Sequence, residues 1–382
     1  MLFANLSGQS RADFVFIDNY VQATPTSINN DFEALCEYLS KGAKNDLEKV
    51  RGIYQWIITG IEYDDEAYKN GNRRINRSYQ DILNRKKAIC WGYSSLFKTF
   101  CDTMGVSCEI VSGYAKSSLL EKPNLEAPNH AWNSVKIDSN WYLIDATWAS
   151  NLVGKQGDFE KSFGYTYFLT PPQFFIINHL PENPQWQLLD CPISPQAYQA
   201  TPEQIIQAVE NQDCEKKIRF EKESFSSVYH QKLDNAIKAF EYNPTDANKR
   251  ELGQAHLDYE TYLTERAERL QIERKMDSLS IVQRQMINLC EIAEDLTDLY
   301  DNQLENCAYN HFNYAITLTQ LKSENESHKL RRWKNILSHF EIAKQSLEVL
   351  PQNIFTQNAL SHCTDYIDYA KDTIESLEGG KR

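Results

Sequence analysis

Between positions 84 and 105 the chain reads NRKKAICWGYSSLFKTFCDTMG. Cys90 stands just ahead of an apolar stripe, Leu96, Phe97, Phe100, Cys101 and Met104, at steps of three and four. That spacing predicts a buried helix, stopped by Gly105. A helix start carries backbone N–H groups with no partner inside the helix and the positive end of its dipole, and both favour a thiolate. A thiolate is the nucleophile of acyl transfer, and the same amides can hold the oxygen of a tetrahedral intermediate. Gly92, Ser94 and Ser95 leave room for a substrate to approach.

A cysteine nucleophile needs a base, and the base needs an orienting partner. His130 opens NHAWNSVKI and Asp145 lies in NWYLIDATW. Both stretches alternate like strands, and the polar turn Asp138-Ser139-Asn140 joins them. A hairpin turning near Ser139 brings His130 and Asp145 within a few residues of register on one face. Asp145 has apolar neighbours on both sides, so a carboxylate there needs a partner to offset its burial. Each residue alone has a bland reading: a small core thiol, a core histidine beside a tryptophan, an aspartate bonding a loop. In the order Cys, His, Asp, on helix start, strand and next strand, they carry the logic of a catalytic triad.

The elements that must position these residues lie in the first part of the chain. Residues 1–200 hold 9 of the 12 prolines, 6 of the 7 tryptophans and 11 of the 14 glycines, with mixed helical and alternating patterns. They read as an α+β domain. Residues 201–382 read as an all-α domain. The boundary falls at Thr201-Pro202-Glu203-Gln204, a capping box with proline at the first helical position. The net charge of the 382 residues is -13, which argues against wholesale nucleic-acid binding. No apolar run approaches 18 residues, so no membrane span is expected. Nine scattered cysteines and no visible secretory signal favour reduced thiols and a cytoplasmic location. No His/Cys cluster completes a zinc site around Cys101 and Cys108, so neither a metal nor a cofactor is expected.

AICWGYSSLFKTFCDTMGVSCEIVSGY, NHAWNSVKI and NWYLIDATW together resemble the transglutaminase-like core of the papain-type cysteine enzymes. The resemblance implies that fold and a Cys-His-Asp triad at Cys90, His130 and Asp145. FIDNYVQATP, EKVRGIYQWIITGIEYDDEAY and YTYFLTPPQFFIINHLPENPQWQLLD are further similar to the kyphoscoliosis peptidase branch, which includes hillarin and cytokinesis-associated relatives. The resemblance covers residues 14 to 190. It implies cysteine-dependent chemistry on protein amides: proteolysis, deamidation or cross-linking. The superfamily also holds members that have lost the triad, so a scaffold role in protein interaction stands as the alternative. The stretch 151–164 has too few carboxylates for the calcium loop of calcium-dependent transglutaminases.

Such enzymes place an oxyanion donor ahead of the cysteine, and Trp56, Tyr63 and Tyr79 are candidates that also read as core. Trp91 reads as a cleft wall or as packing, Trp132 and Trp148 as hairpin packing, and His179 as structural. The basic residues Arg73, Arg74, Arg77, Arg85, Lys86 and Lys87 read as a solvated loop or as a steering patch for acidic substrates. The basic stretch 329–334 reads as a solvated helix face. In the second domain, 236–246 and 343–353 each place a proline after an Ala/Leu-rich helix end, a hint of stacked helical hairpins. Residues 255–300 fit one long helix or a hairpin. An all-helical scaffold suits a protein partner. The division predicts that residues 1–200 fold alone and hold the reactive thiol, and that residues 201–382 govern what is bound.

Overall fold

The computed structural model describes residues 14–71, 78–118, 122–150, 167–211, 227–322 and 326–379. Arg73, Arg74, Arg77 and the stretch 151–164 lie outside the described residues. By contacts the chain divides into one unit of Met1–Lys222 with Glu241–Asn243, and a second of Glu223–Phe240 with Pro244–Arg382.

The first unit begins with helices whose starts are chemically marked. Asp31 and Asn45 accept hydrogen bonds from Ala34 N and Glu48 N, and so cap α2 (Phe32–Gly42) and α3 (Asp46–Gly60). These follow α1 (Val15–Gln22). Next come β1 (Glu62–Tyr63), α4 (Asp65–Lys69), α5 (Tyr79–Arg85), β2 (Lys87–Ala88) and α6 (Cys90–Thr103). β1 and β2 form a two-stranded parallel pair. The apolar stripe of α6 packs with α1, α2 and α3 into one core, where Leu96, Phe97, Phe100 and Cys101 are fully buried.

The sheet holds β3 (Cys108–Ala115), β4 (His130–Ile137), β5 (Asn140–Ile144), β6 (Phe168–Thr170) and β7 (His179–Pro181). Its order is β6-β5-β4-β3-β7, and every neighbouring pair is antiparallel. The β4–β5 turn is Asp138-Ser139, both at left-handed φ (47° and 70°), as a tight type I′ hairpin requires. α7 (Ala146–Ser150) follows β5, and α8 (Pro172–Phe175) lies between β6 and β7.

α9 (Pro195–Tyr198) and α10 (Pro202–Glu210) complete the unit. The capping box forms as expected, with Gln204 N donating to Thr201 Oγ1 and Thr201 N to Gln204 Oε1. The contact division falls later than the change in composition, however. Ile205 of α10 is fully buried in one cluster with Tyr114, Ile176, Leu180 and Tyr198. Further on, Gln187 Nε2 donates to the Tyr242 hydroxyl at 2.8 Å, and Asn243 Nδ2 donates to the Leu125 carbonyl at 2.9 Å. A change in composition cannot reveal that the first helix past it still packs backward.

The second unit is built on α11 (Val228–Tyr242), α12 (Asp246–Ile272), α13 (Met276–Leu296), α14 (Asp301–Gln320), α15 (Glu326–Glu348) and α16 (Ile354–Gly379). From α12 onward each helix packs on the next. Residues 255–300 form a hairpin rather than one long helix, turning at Arg274 (φ 55°). Pro244 and Pro351 lie between helices, as the helical-hairpin pattern expects. Cys290 and Cys307 are joined as a disulfide between α13 and α14, which corrects the expectation of reduced thiols throughout. Among the described residues no helix is long and apolar enough to cross a membrane.

A fragment ending at residue 200 lacks Ile205 and Tyr242. Ile205 is fully buried and Tyr242 half-buried, so together they contribute about 2–5 kcal/mol at ~1.5–3 kcal/mol per fully buried large side chain. The 1–200 fragment is therefore expected to melt roughly 10 °C or more below a 1–243 fragment. Circular dichroism melts of the two fragments check this. Equal melting temperatures would place the boundary at 200 after all.

Candidate active site

α6 starts at Cys90 after the extended Ile89, a residue with no polar side chain to cap the helix. The amides of its first turn therefore point past the helix end with no acceptor inside it. The helix is held beside the sheet by Asn133, only 1% exposed, whose Nδ2 donates to the Ser94 carbonyl at 3.0 Å. Asn133 thus ties the helix bearing Cys90 to the strand bearing His130.

The β4–β5 register pairs Asn133 with Ile144, which sets Asp145 opposite Trp132 and one step from His130. Alternation puts His130, Trp132 and Asp145 on one face. Asp145 is fully buried and also starts α7, where its Oδ1 accepts from Trp148 N at 3.0 Å. Its Oδ2 faces His130 Nε2 at 2.8 Å. The Cys90 thiol lies close enough to the same ring for His130 to act on it, as the Ala131 backbone also does. Cys90, His130 and Asp145 thus lie near one another.

The charges follow from that proximity. Burial opposes an imidazolium at His130, but the Asp145 carboxylate and the Cys90 thiolate outweigh it and hold His130 up to about 10. Burial also opposes the Cys90 thiolate, yet the hydrogen bond and charge of His130 bring the thiol below its ordinary value. Burial of Asp145 is offset by His130 and then by His179, which keep it far below the usual carboxylate range. Both shifts run in the direction that favours a thiolate at Cys90 and a protonated ring at His130.

The other candidates separate by position. Tyr63, half-buried on β1, is the one of the three upstream aromatics whose charge interacts with Cys90. Trp56 packs edge-on to Phe100, and Tyr79 packs on Phe32, both as core. Trp91 is 48% exposed next to Cys90. Trp132 and Trp148 flank the His130 ring at 6.0 and 5.3 Å. Arg85 pairs with Asp64 at 2.9 Å, and Lys86 bonds the Asn29 carbonyl and lies over the Trp56 ring. Those two cations are engaged away from the thiol.

His179, read from the sequence as structural, has a specific partner. It is buried on β7, and its Nε2 lies 3.0 Å from the same Asp145 Oδ2 that His130 uses. The sequence holds a signal for it only in retrospect, as a histidine in an apolar strand with no polar neighbour but Asn178. Among the described residues His130, Asp145 and His179 form the single group of metal-ligating composition. Their donor atoms are hydrogen-bonded to one another, which makes the group a proton-ordering network.

Gly113 of β3 lies where β4 and β7 close in. A Cβ there would meet the Leu180 carbonyl oxygen at 2.3 Å, Trp132 at 2.5 Å and Pro181 Cα at 2.8 Å. Two of the three are backbone, so Gly113→Ala must displace β7. Overpacking of this kind costs about 1–3 kcal/mol, and the melting temperature of the first unit is expected to fall by several degrees. Calorimetry on the full chain checks this, and an unchanged melt would show that β7 yields freely.

Burial, reinforced by the His130 charge, pulls His179 down to about 4, against 6.5 for an ordinary histidine. The unfolded chain takes up that proton first, so this stability is present above pH 6.5 and lost as pH falls towards 4. His130, held high, loses its contribution only as pH rises towards 10. In the second unit His311, which lies Nδ1 to Nδ1 at 2.9 Å from His339, is also pulled down to about 4 by burial. Both units are thus expected to melt at lower temperature as pH falls from 6.5 to 4. Calorimetry across that range tests it, and a flat profile would contradict the burial of both histidines.

Residues 33–146 match the family model of the transglutaminase-like superfamily. Mouse kyphoscoliosis peptidase is 38% identical over 175 residues, 45% of this chain and 26% of that protein. Drosophila melanogaster hillarin is 26% identical over 209 residues, 50% of this chain and 25% of that one. Cytokinesis protein 3 of Schizosaccharomyces pombe is 27% identical over 191 residues, 50% of this chain and 20% of that protein. The chain spans 20–26% of the length of these relatives. Residues 33–146, which hold Cys90, His130 and Asp145, form a transglutaminase-like domain, and this part of the chain is similar to kyphoscoliosis peptidase and hillarin.

Proposed function

We propose that the first unit is a cysteine-dependent acyl-transfer enzyme acting on protein amides. The observation that carries this reading is His130, bonded through Nε2 to Asp145 and with its ring close to a thiol at a helix start. Cys90 Sγ attacks an amide carbonyl carbon, and the carbonyl oxygen takes the negative charge. The Cys90 backbone N–H and the neighbouring Tyr63 hydroxyl are the donors for that oxygen. His130 gives its proton to the leaving nitrogen as the C–N bond breaks, which leaves a thioester on Cys90. Asp145 keeps the imidazole oriented and balances its charge throughout. His130 then removes a proton from the incoming nucleophile, and the thiolate leaves.

Water as that nucleophile gives hydrolysis of a peptide or deamidation of a glutamine, and a lysine amine gives a cross-link. One relative's name, kyphoscoliosis peptidase, supports hydrolysis. The second unit supports a separate role in holding a protein partner. At the α15–α16 turn it exposes Val349, Ile354 and Phe355, at 78%, 67% and 72%. In the alternative reading this binding is the whole function, and the first unit is its scaffold.

The test is mass spectrometry of protein extract incubated with the full chain or with Cys90→Ala. New termini, glutamines heavier by one dalton, or isopeptides are expected only with the former, and each names one outcome. Asp145→Asn is expected to remain folded and to lower the rate by a factor of about 10⁴. Identical products from the wild type and Cys90→Ala would leave only the binding role.

A further inference from the structure

The same oxygen of Asp145 faces two histidines, and the acyl-transfer reading above uses only one of them. β3 lies between the strands that carry them. Gly113 pairs with His130 on one side and with Pro181 on the other, and Ala115 pairs with His179. Gly113 and Ala115 are two residues apart on one strand, so both histidines stand on the same face of the sheet. Their ring centroids are 5.5 Å apart. The lack of a side chain at Gly113 lets β7 approach this closely.

His179 is held on every side. Its side chain is fully buried. Phe175 stacks on it at 4.2 Å, Trp148 lies at 4.4 Å, and the edge of Trp132 lies at 5.1 Å. Both ring nitrogens have partners: Nε2 has Asp145 Oδ2 at 3.0 Å, and Nδ1 has Asn178 Oδ1 at 2.7 Å, in an amide orientation that is assigned rather than observed. An ionised Asp145 can only accept, so His179 Nε2 carries the proton. An Asn178 oxygen facing Nδ1 would demand a second proton and a buried cation. Turned through 180°, the same amide donates an N–H to Nδ1 and offers its oxygen to the Tyr167 hydroxyl, with which Asn178 is already in contact. That arrangement satisfies every group with a neutral imidazole.

We propose that His179 is a positioning residue: a neutral imidazole that donates Nε2–H to Asp145 Oδ2, fixing the carboxylate so that the same oxygen orients His130 toward Cys90. The proposal rests on reading Cys90, His130 and Asp145 as the acyl-transfer site. With Trp148 N on Oδ1, the three donors leave the carboxylate no freedom to rotate. A second N–H on Oδ2 also makes that oxygen a weaker base, so the shared proton stays on His130. The strong downward pull of burial on His179 agrees with a neutral ring through the range in which thiol chemistry runs.

The test uses the full chain and iodoacetamide, with alkylation of Cys90 read by peptide mass spectrometry from pH 4 to 10. Wild type is expected to react well below the ordinary thiol range, with an acid limb set by the Cys90–His130 pair. His179→Phe fills the aromatic box without a donor. Its limb is expected to move up by one pH unit or more, with at least a tenfold lower rate at pH 6. His179→Gln retains an N–H donor and is expected to stay within about threefold of wild type. A His179→Phe profile that coincides with a depressed wild-type profile would overturn the positioning role. An ordinary thiol profile in wild type, unchanged in His130→Ala, would instead overturn the acyl-transfer reading beneath it. Should His179→Phe fail to fold, nitrogen-15 NMR of the histidines in wild type decides. A non-titrating Nε2–H tautomer at His179 between pH 5 and 8 is expected, and titration near 6.5 or an Nδ1–H tautomer would sink the proposal.

Discussion

The first unit is organised around one buried carboxylate. Asp145 has no contact with water, and an isolated charge in that position would be untenable without donors. Three N–H groups meet it, from His130, His179 and Trp148. They come from the first residue of β4, the first residue of β7 and the first turn of α7. To satisfy Asp145 the chain must therefore bring in segments that lie up to 34 residues from it in sequence. Removing one donor loosens the hold on that charge in a dry interior.

The packing around that carboxylate serves the same requirement. Asn133 fixes α6 against β4 through the Ser94 carbonyl, and Gly113 sets the approach of β7 to β3. Ahead of the cysteine, the Tyr93 hydroxyl donates to the Ile61 carbonyl at 2.6 Å and accepts from Ser150. These contacts join α6, the segment before β1 and the end of α7. Core burial by Phe97 and Phe100 supplies the stability, while these directional bonds set the placement. Cys90 itself stays half-buried at the start of α6.

The second unit solves a different problem. It has long helices with small apolar clusters and places polar groups inside. Asn310 Nδ2 donates to Glu260 at 2.7 Å between α14 and α12, and burial pushes that glutamate up. His311 and His339 share one proton between α14 and α15. Such pairs specify which helix faces meet, a role that apolar contacts between similar stripes perform poorly. The Cys290–Cys307 bond adds a covalent tie between α13 and α14.

Local signals in the chain were enough for the elements. Apolar steps of three and four define α6, alternation defines β4 and β5, and Thr201 with Gln204 defines the start of α10. The hairpin is short, so the proximity of His130 and Asp145 was legible as well: two strands joined by two turn residues have one sensible register. Long-range pairing was not legible. Nothing near His179 announces that β7 pairs with β3 and delivers its ring to Asp145, because strand order in a sheet is decided by burial across the whole unit. The same holds for Asn133, whose polar side chain looks misplaced in a strand until α6 is seen above it. The contact boundary at 222, the return of residues 241–243 and the Cys290–Cys307 bond belong to this class too. Sequence alone determined which residues have reactive chemistry and which local elements bear them. Tertiary structure decided which buried polar groups meet, because a hydrogen bond between distant segments leaves no periodic trace in either one.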